Sequence, residues 1–170
     1  AAPLLCAGIT VYNALRNSGV RAGNLVAVQG IGGLGHLGIQ YARQMGFRTV
    51  AIGRGADKKP LAHKLGAHEY LNTNAGPPAE ALQKLGGADL VLATAPDSKS
   101  MSALVDGLAP NGTLMIVGAG FESLTVTPLQ LISGRKLIRG WASGTAKDSQ
   151  DTLEFSAFSG VRPMIERYPL

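Results

Sequence analysis

The sequence predicts an α/β domain with a doubly wound parallel sheet, and three observations carry that prediction. Short apolar runs alternate with helical patterns at about 20–25 residues per unit. The runs are continuously apolar instead of alternating, so both faces of the sheet are covered. A glycine-rich segment, Gly30–Gly38 with sequence GIGGLGHLG, lies between one such run and the next helical pattern. Two βαβαβ halves of this kind make a six-stranded sheet in the order 3-2-1-4-5-6. No solenoid repeat or low-complexity segment interrupts the alternation.

Leu4, Gly8, Val11 and Leu15 follow helical spacing, which predicts a helix over 3–17. Gly19 and the turn Arg21–Asn24 end it. Leu25–Gln29 is a short buried strand. Leu34, Leu37, Gly38, Tyr41, Ala42 and Met45 make a one-sided stripe that Gly46 terminates. Phe47–Ile52 is the second strand, and Asp57 is placed to cap the helix carrying Leu61 and Leu65. Glu69–Leu71 is the third strand. A helix over 78–86 starts at Pro77 or Pro78 and ends at Gly86. Asp89–Ala93 is the fourth strand, and Met101, Leu104, Val105 and Leu108 repeat the helical stripe. Thr113–Val117 follows the Pro110–Gly112 turn as the fifth strand. Leu124–Val126 reads as a small extra strand, 128–133 as a helix and Leu137–Ala142 as the sixth main strand. A last helix opens at Asp148 and runs through Leu153 and Ala157 to Gly160.

Gly30, Gly32 and Gly35 spell G-x-G-x-x-G directly after a strand and directly before a helix. That context makes the pattern a dinucleotide-binding (Rossmann) fingerprint. Gly30 permits the tight turn, Gly32 lets a pyrophosphate approach the backbone, and Gly35 lets the helix pack close to the strand. Free N–H groups and the positive dipole end of that helix suit phosphates. Gly30, Ile31, Gly32, Gly33, Leu34 and Gly35 are therefore the expected cofactor loop. The competing reading is a strand–turn–helix corner with incidental glycines.

Composition bounds the rest. With 45% hydrophobic and 16% charged residues, 23 Gly and 9 Pro, the chain fits a glycine-rich globular domain. The net charge is +5, but no basic run exceeds the pair Lys58–Lys59, so no nucleic-acid partner is expected. A polyanionic dinucleotide accounts for the positive excess. No stretch of ~18 apolar residues offers a membrane span, and no signal peptide is expected, because the N-terminus lacks a basic stretch. The single cysteine, Cys6, excludes an internal disulfide and suits a reducing, cytoplasmic compartment. His36, His63 and His68, at spacings of 27 and 5, match no metal cluster. His36 is expected on a helix surface and the other two in solvent.

The stretch Leu5-Cys6-Ala7-Gly8-Ile9-Thr10-Val11-Tyr12 and the glycine loop resemble the zinc-dependent alcohol dehydrogenases of the medium-chain superfamily. Lys64-Leu65-Gly66-Ala67, Asn111-Gly112-Thr113, Val117-Gly118 and Arg162-Pro163-Met164-Ile165-Glu166 extend the resemblance over nearly the whole chain. It implies that residues 1–170 are the nucleotide domain that this family inserts into a second domain. The catalytic, zinc-binding part is then expected to be absent, which fits a chain that starts at Ala1. The resemblance makes Cys6 the third zinc ligand, with a Cys and a His in the absent part. Zinc is expected in the full-length enzyme only, because catalytic zinc needs three protein ligands and an open position. The competing reading of Cys6 is an ordinary semi-buried thiol. The resemblance also implies that Thr10 contacts the nicotinamide ring, that Leu34 packs near it, and that Val117 and Gly118 border the cofactor. It assigns no catalytic residue to this chain.

Cofactor choice is read at the end of the second strand. An acid there would accept a hydrogen bond from the ribose 2′-OH of NAD. This sequence has Gly53, followed by Arg54, with Lys58 nearby. A carboxylate would repel a 2′-phosphate by about 4 kcal/mol per charge pair at 4 Å in an effective dielectric of 20. Its absence also denies NAD a charged hydrogen bond of about 1.5–3 kcal/mol. A guanidinium can grip the phosphate through paired hydrogen bonds. Gly53, Arg54 and Lys58 therefore favour NADP over NAD. In the competing reading Arg54 is solvated and Lys58 holds a ribose hydroxyl of NAD.

The expected function is that of the cofactor domain of a zinc-type alcohol dehydrogenase, inactive alone. The full enzyme would move hydride between NAD(P) and a small alcohol or carbonyl substrate. One rival is a zinc-free quinone or enone reductase of the same superfamily. The other is a stand-alone, non-enzymatic dinucleotide sensor. An apolar edge strand, Leu137–Ala142, leads to an expected homodimer through 137–145.

Overall fold

The computed structural model describes residues 1–166; residues 167–170 of the expected domain lie outside the described residues. The strands are β1 (Leu25–Gln29), β2 (Arg48–Gly53), β3 (Glu69–Asn72), β4 (Ala88–Ala93), β5 (Leu108–Ile116) and β6 (Leu137–Gly140). They form one all-parallel sheet in the order β3-β2-β1-β4-β5-β6, the order the sequence predicts. The helices are α1 (Ala7–Arg16), α2 (Gly35–Gln44), α3 (Lys59–Lys64), α4 (Pro78–Lys84), α5 (Ser98–Leu104), α6 (Pro128–Ile132) and α7 (Ala146–Ser159).

The continuous apolar runs are explained by two cores, one on each side of the sheet. Along β4, Leu90 and Leu92 enter one core while Val91 and Ala93 enter the other. Along β1, Val26 and Val28 alternate in the same way with Leu25 and Ala27. Period-two alternation thus buries every residue of a central strand. Helices α1, α2, α3 and α7 contribute to the first core, α4 and α5 to the second. A cluster of Tyr12, Tyr41 and Phe155 ties α1, α2 and α7 together, with ring centroids 5.2–6.0 Å apart. The Tyr41 hydroxyl is satisfied at 2.6 Å by Ser156.

Several local expectations are corrected. The helix over 3–17 is broken: residues Ala2–Leu5 form a 3-10 turn, Cys6 leaves helical geometry at φ −126°, ψ −78°, and α1 starts at Ala7. Asp57 caps nothing; it lies inside the 3-10 turn Ala56–Lys58, and α3 has no side-chain cap. The Pro110–Gly112 turn is an irregularity inside β5, with Asn111 at φ 62° and a register shift against Ala88–Leu90. Leu124–Val126 is not a strand. The sheet ends at β6, and the segment is held from the side by the Thr125 amide on Ser102 Oγ at 3.0 Å. At α7 the N-cap is Thr145, with Asp148 returning a 2.7 Å bond to the Thr145 amide as a capping box.

Candidate cofactor site

The site is built where β1 and β4 part. Here the chain order reverses, and the carboxyl ends of both strands border a crevice, the usual ligand position in an open α/β sheet. A cavity of about 710 Å³ opens there. Gln29, Gly30 and Ile31 line it from β1, and Gly53, Arg54 and Lys58 from the β2 side. Asp97 and Ser100, at the start of α5, close it opposite.

The glycine loop turns β1 into α2. Gly30 sits at φ +92°, a left-handed conformation that glycine adopts without strain, and its amide bonds Ile52 O at 2.8 Å. Gly35 is fixed by close approach: a Cβ there would lie 2.0 Å from Gly30 O. Gly32 and Gly33 differ, since a Cβ on either would meet nothing within 4 Å. The first helical bond here runs from the His36 amide to Gly32 O at 3.0 Å. The amides of residues 32–35 have no acceptor among the described residues. Unpaired N–H groups at a helix start are the donors that hold an anion.

The segment after β2 carries the positive charge. Arg54 is exposed and makes no hydrogen bond or ion pair with the described residues, and the same holds for Lys58. The backbone between them is held from β3. Tyr70 Oη donates to Gly55 O at 2.5 Å, and the Gly55 amide donates to Asn72 Oδ1 at 2.9 Å. Burial, reinforced by the charge of Asp57, pushes the Tyr70 phenol above its ordinary pKa, so it remains a donor at neutral pH.

Of the residues expected from sequence, Gly30, Ile31, Gly53, Arg54 and Lys58 meet around the cavity. Gly118 lies beside it, where a Cβ would come within 2.7 Å of Thr94 O. Leu34 and Val117 pack partly buried on the first core, with Ile31. Cys6 and Thr10 do not line the cavity; Thr10 Oγ1 donates to Cys6 O at 2.8 Å, and the Cys6 thiol is free and exposed. Among the described residues no group of three His, Cys, Asp or Glu could hold a metal.

His36 corrects the sequence expectation. It is buried, not on the surface, with Nδ1 at 3.0 Å from Gly32 O and Nε2 accepting from the Met164 amide at 3.0 Å. Those two contacts fix its tautomer as Nδ1–H. His36 thus links the glycine loop to the segment after α7. His63 and His68 are exposed as expected, and His68 Nδ1 also accepts from the Thr49 amide at 2.9 Å.

Sequence reasoning missed Gln29, Thr94, Ser100, Tyr70 and Asn72. Thr94 Oγ1 donates to Gln29 O at 2.7 Å, and Gln29 Nε2 donates to Ser100 Oγ at 2.6 Å, which holds the two sides of the crevice. A buried glutamine ending an apolar strand was the available signal, because buried amides need partners.

Fold and crevice together define a Rossmann-type α/β domain. The zinc-binding dehydrogenase family model matches residues 33–157, and the chain belongs to that family. It is 46% identical over 171 residues to alcohol dehydrogenase patD of Penicillium expansum, covering 99% of this chain and 49% of that protein. The fold matches a cinnamyl alcohol dehydrogenase of Sorghum bicolor with a TM-score of 0.87 at 30% identity, over 98% of this chain and 47% of that one. It also matches CAD from Helicobacter pylori, solved with NADP(H), with a TM-score of 0.84 at 30% identity, over 97% and 46%. The chain spans about half the length of the curated relatives it matches. No helix among the described residues is long and apolar enough to cross a membrane.

Proposed function

We propose that this chain is the nucleotide-binding domain of an NAD(P)-dependent alcohol dehydrogenase, and that it favours NADP. One observation carries the reading: the contrast inside the glycine loop. The protein's own packing requires glycine at Gly30 and Gly35 but not at Gly32 and Gly33, whose side-chain space is open and whose amides have no acceptor among the described residues. A ligand with a pyrophosphate explains both facts at once. The pairing of unpartnered Arg54 with Gly53 in place of an acid supports a 2′-phosphate, with Lys58 as a second cation.

A nicotinamide dinucleotide, when bound, supplies the hydride donor or acceptor for interconversion of an alcohol and its carbonyl compound. This chain's residues bind and orient it: the loop amides of 32–35 hold the pyrophosphate, and Thr10, Leu34, Val117 and Gly118 border the nicotinamide end. The relatives named as alcohol dehydrogenases support a small alcohol or carbonyl substrate. Cys6 alone does not hold zinc, which takes three protein ligands in catalytic sites. We assign it as one ligand of a site completed outside residues 1–170. We place the chain in the cytoplasm, where a lone thiol stays reduced, and we expect a homodimer through the β6 edge.

Isothermal titration of the chain with NADP⁺ and NAD⁺ tests the proposal. Saturable binding of both, tighter for NADP⁺, is expected. A chain that binds neither overturns it.

A further inference from the structure

Gly53 ends β2, at the place where an acid would select NAD. Its backbone is not left-handed, so its φ does not demand glycine. A neighbouring side chain does. A Cβ at position 53 would lie 2.9 Å from Tyr70 Oη, 3.1 Å from Cε2 and 3.4 Å from Cζ. The β2–β3 register pairs Ala51 with Tyr70 and Gly53 with Asn72, and Tyr70 leans across to fill the side-chain volume of Gly53. The ring is not free to step aside, because its hydroxyl holds Gly55 O at 2.5 Å. Asn72 Oδ1 holds the other polar group of the same residue, the Gly55 amide, at 2.9 Å. Both backbone bonds of Gly55 are therefore made by β3, one residue after Arg54.

We infer that Tyr70 is a specificity-determining positioning residue: it excludes a carboxylate from position 53 and anchors the segment that presents Arg54 to a 2′-phosphate. The inference rests on the dinucleotide reading above and deepens it. Two consequences separate it from a merely structural role. Loss of the hydroxyl alone loosens the Arg54 segment, which an NADP 2′-phosphate senses and an NAD 2′-hydroxyl does not. An aspartate introduced at position 53 reaches a ribose hydroxyl only once the ring is gone.

The test measures NADP⁺ and NAD⁺ affinities of the wild-type chain, Tyr70→Phe, Gly53→Asp, and Gly53→Asp with Tyr70→Ala, by calorimetry. Tyr70→Phe is expected to weaken NADP⁺ by about three- to tenfold, the range of one hydrogen bond, and NAD⁺ by less than about twofold. Gly53→Asp alone should lose NADP⁺ without gaining NAD⁺. The double variant should bind NAD⁺ about tenfold tighter than Gly53→Asp does, the range of one charged hydrogen bond. Equal loss of both dinucleotides in Tyr70→Phe, or a full NAD⁺ gain in Gly53→Asp alone, overturns the inference. Should Gly53→Asp not fold, urea midpoints decide: Gly53→Ala should be harmful with Tyr70 present and harmless in a Tyr70→Ala background, and additive effects overturn the inference. A wild-type chain that binds neither dinucleotide overturns the underlying reading, and the specificity role with it.

Discussion

Alanine at Gly35 and alanine at Gly32 should do opposite things. At Gly35 the new Cβ would sit 2.0 Å from Gly30 O, 2.7 Å from Gly30 C and 3.0 Å from Thr94 Oγ1. Real Cβ atoms keep beyond about 3.0 Å, so α2 must retreat from β1 by about 1 Å. Two of those three neighbours are backbone atoms and cannot rotate away. Overpacking of this kind costs about 3 kcal/mol at its upper range. Replacing glycine by alanine inside a helix returns about 1 kcal/mol. The net expectation is a loss of about 2 kcal/mol, read as a lower urea midpoint at constant slope. At Gly32 the Cβ meets nothing within 4 Å, and the residue has no left-handed φ. Stability should then stay within about 0.5 kcal/mol of wild type. Dinucleotide affinity should fall instead, because the methyl occupies the pyrophosphate position. An overpacking cost of about 1–3 kcal/mol converts to roughly 5- to 150-fold in Kd. Equal destabilisation by both substitutions, or unchanged affinity in Gly32→Ala, would refute this division of the glycines.

Arg54→Ala should weaken NADP⁺ by roughly 10- to 150-fold, the value of a charge-assisted hydrogen bond, and NAD⁺ far less; calorimetry showing equal losses removes the 2′-phosphate role. Asp148, held chiefly by the Thr145 amide, and Asp151, held chiefly by Arg16, both have lowered pKa values. Carboxylates lowered in the native state stabilise it fully above the unfolded value of about 3.9, and that contribution is lost as pH falls through the native one. Urea midpoints should therefore drop below about pH 4, and Arg16→Ala should flatten that drop. Directly after β6 the Trp141 amide bonds Ile116 O at 2.9 Å, so the Ile138 amide, of opposite parity, faces the free edge. Ile138→Pro should convert a dimer to a folded monomer in light scattering; a wild-type chain already monomeric at high concentration ends the dimer proposal.

The strand order, the loop position and two glycine roles were legible because each depends on local pattern. Gly30 and Gly35 follow from one strand, one turn and one helix, all within a dozen residues of sequence. The second-strand terminus was equally legible, since Gly53 and Arg54 are adjacent. Residues that act across the sheet were not. Tyr70 reads as an ordinary apolar strand residue until β3 is placed beside β2 and its ring is found over Gly53. His36 reads as a surface position on α2, because its partner, the Met164 amide, lies 128 residues away. Leu124–Val126 carries β-branched and apolar residues, but its Thr125 amide is taken by Ser102 Oγ on α5 and not by a strand, which the local pattern does not reveal. Asp57 has capping chemistry, yet Lys58 and Pro60 already start α3 without it.

The site's rigid and open parts are separated residue by residue. Gln29, Thr94 and Ser100 lock the crevice walls, and Tyr70 and Asn72 lock the segment beside Arg54. His36 holds the glycine loop through Gly32 O, while the Gly32 amide has no acceptor among the described residues. A loop held at Gly32 O, with the amides of 32–35 free of acceptors among the described residues, is preorganised for an anion, because none of those amides must break a bond when one arrives. The same arrangement explains why an arginine at position 54 stays unpaired. Gly55 O and Asn72 Oδ1, the acceptors beside it, are already engaged by Tyr70 and the Gly55 amide, and a guanidinium with no partner among the described residues suits the phosphate proposed above.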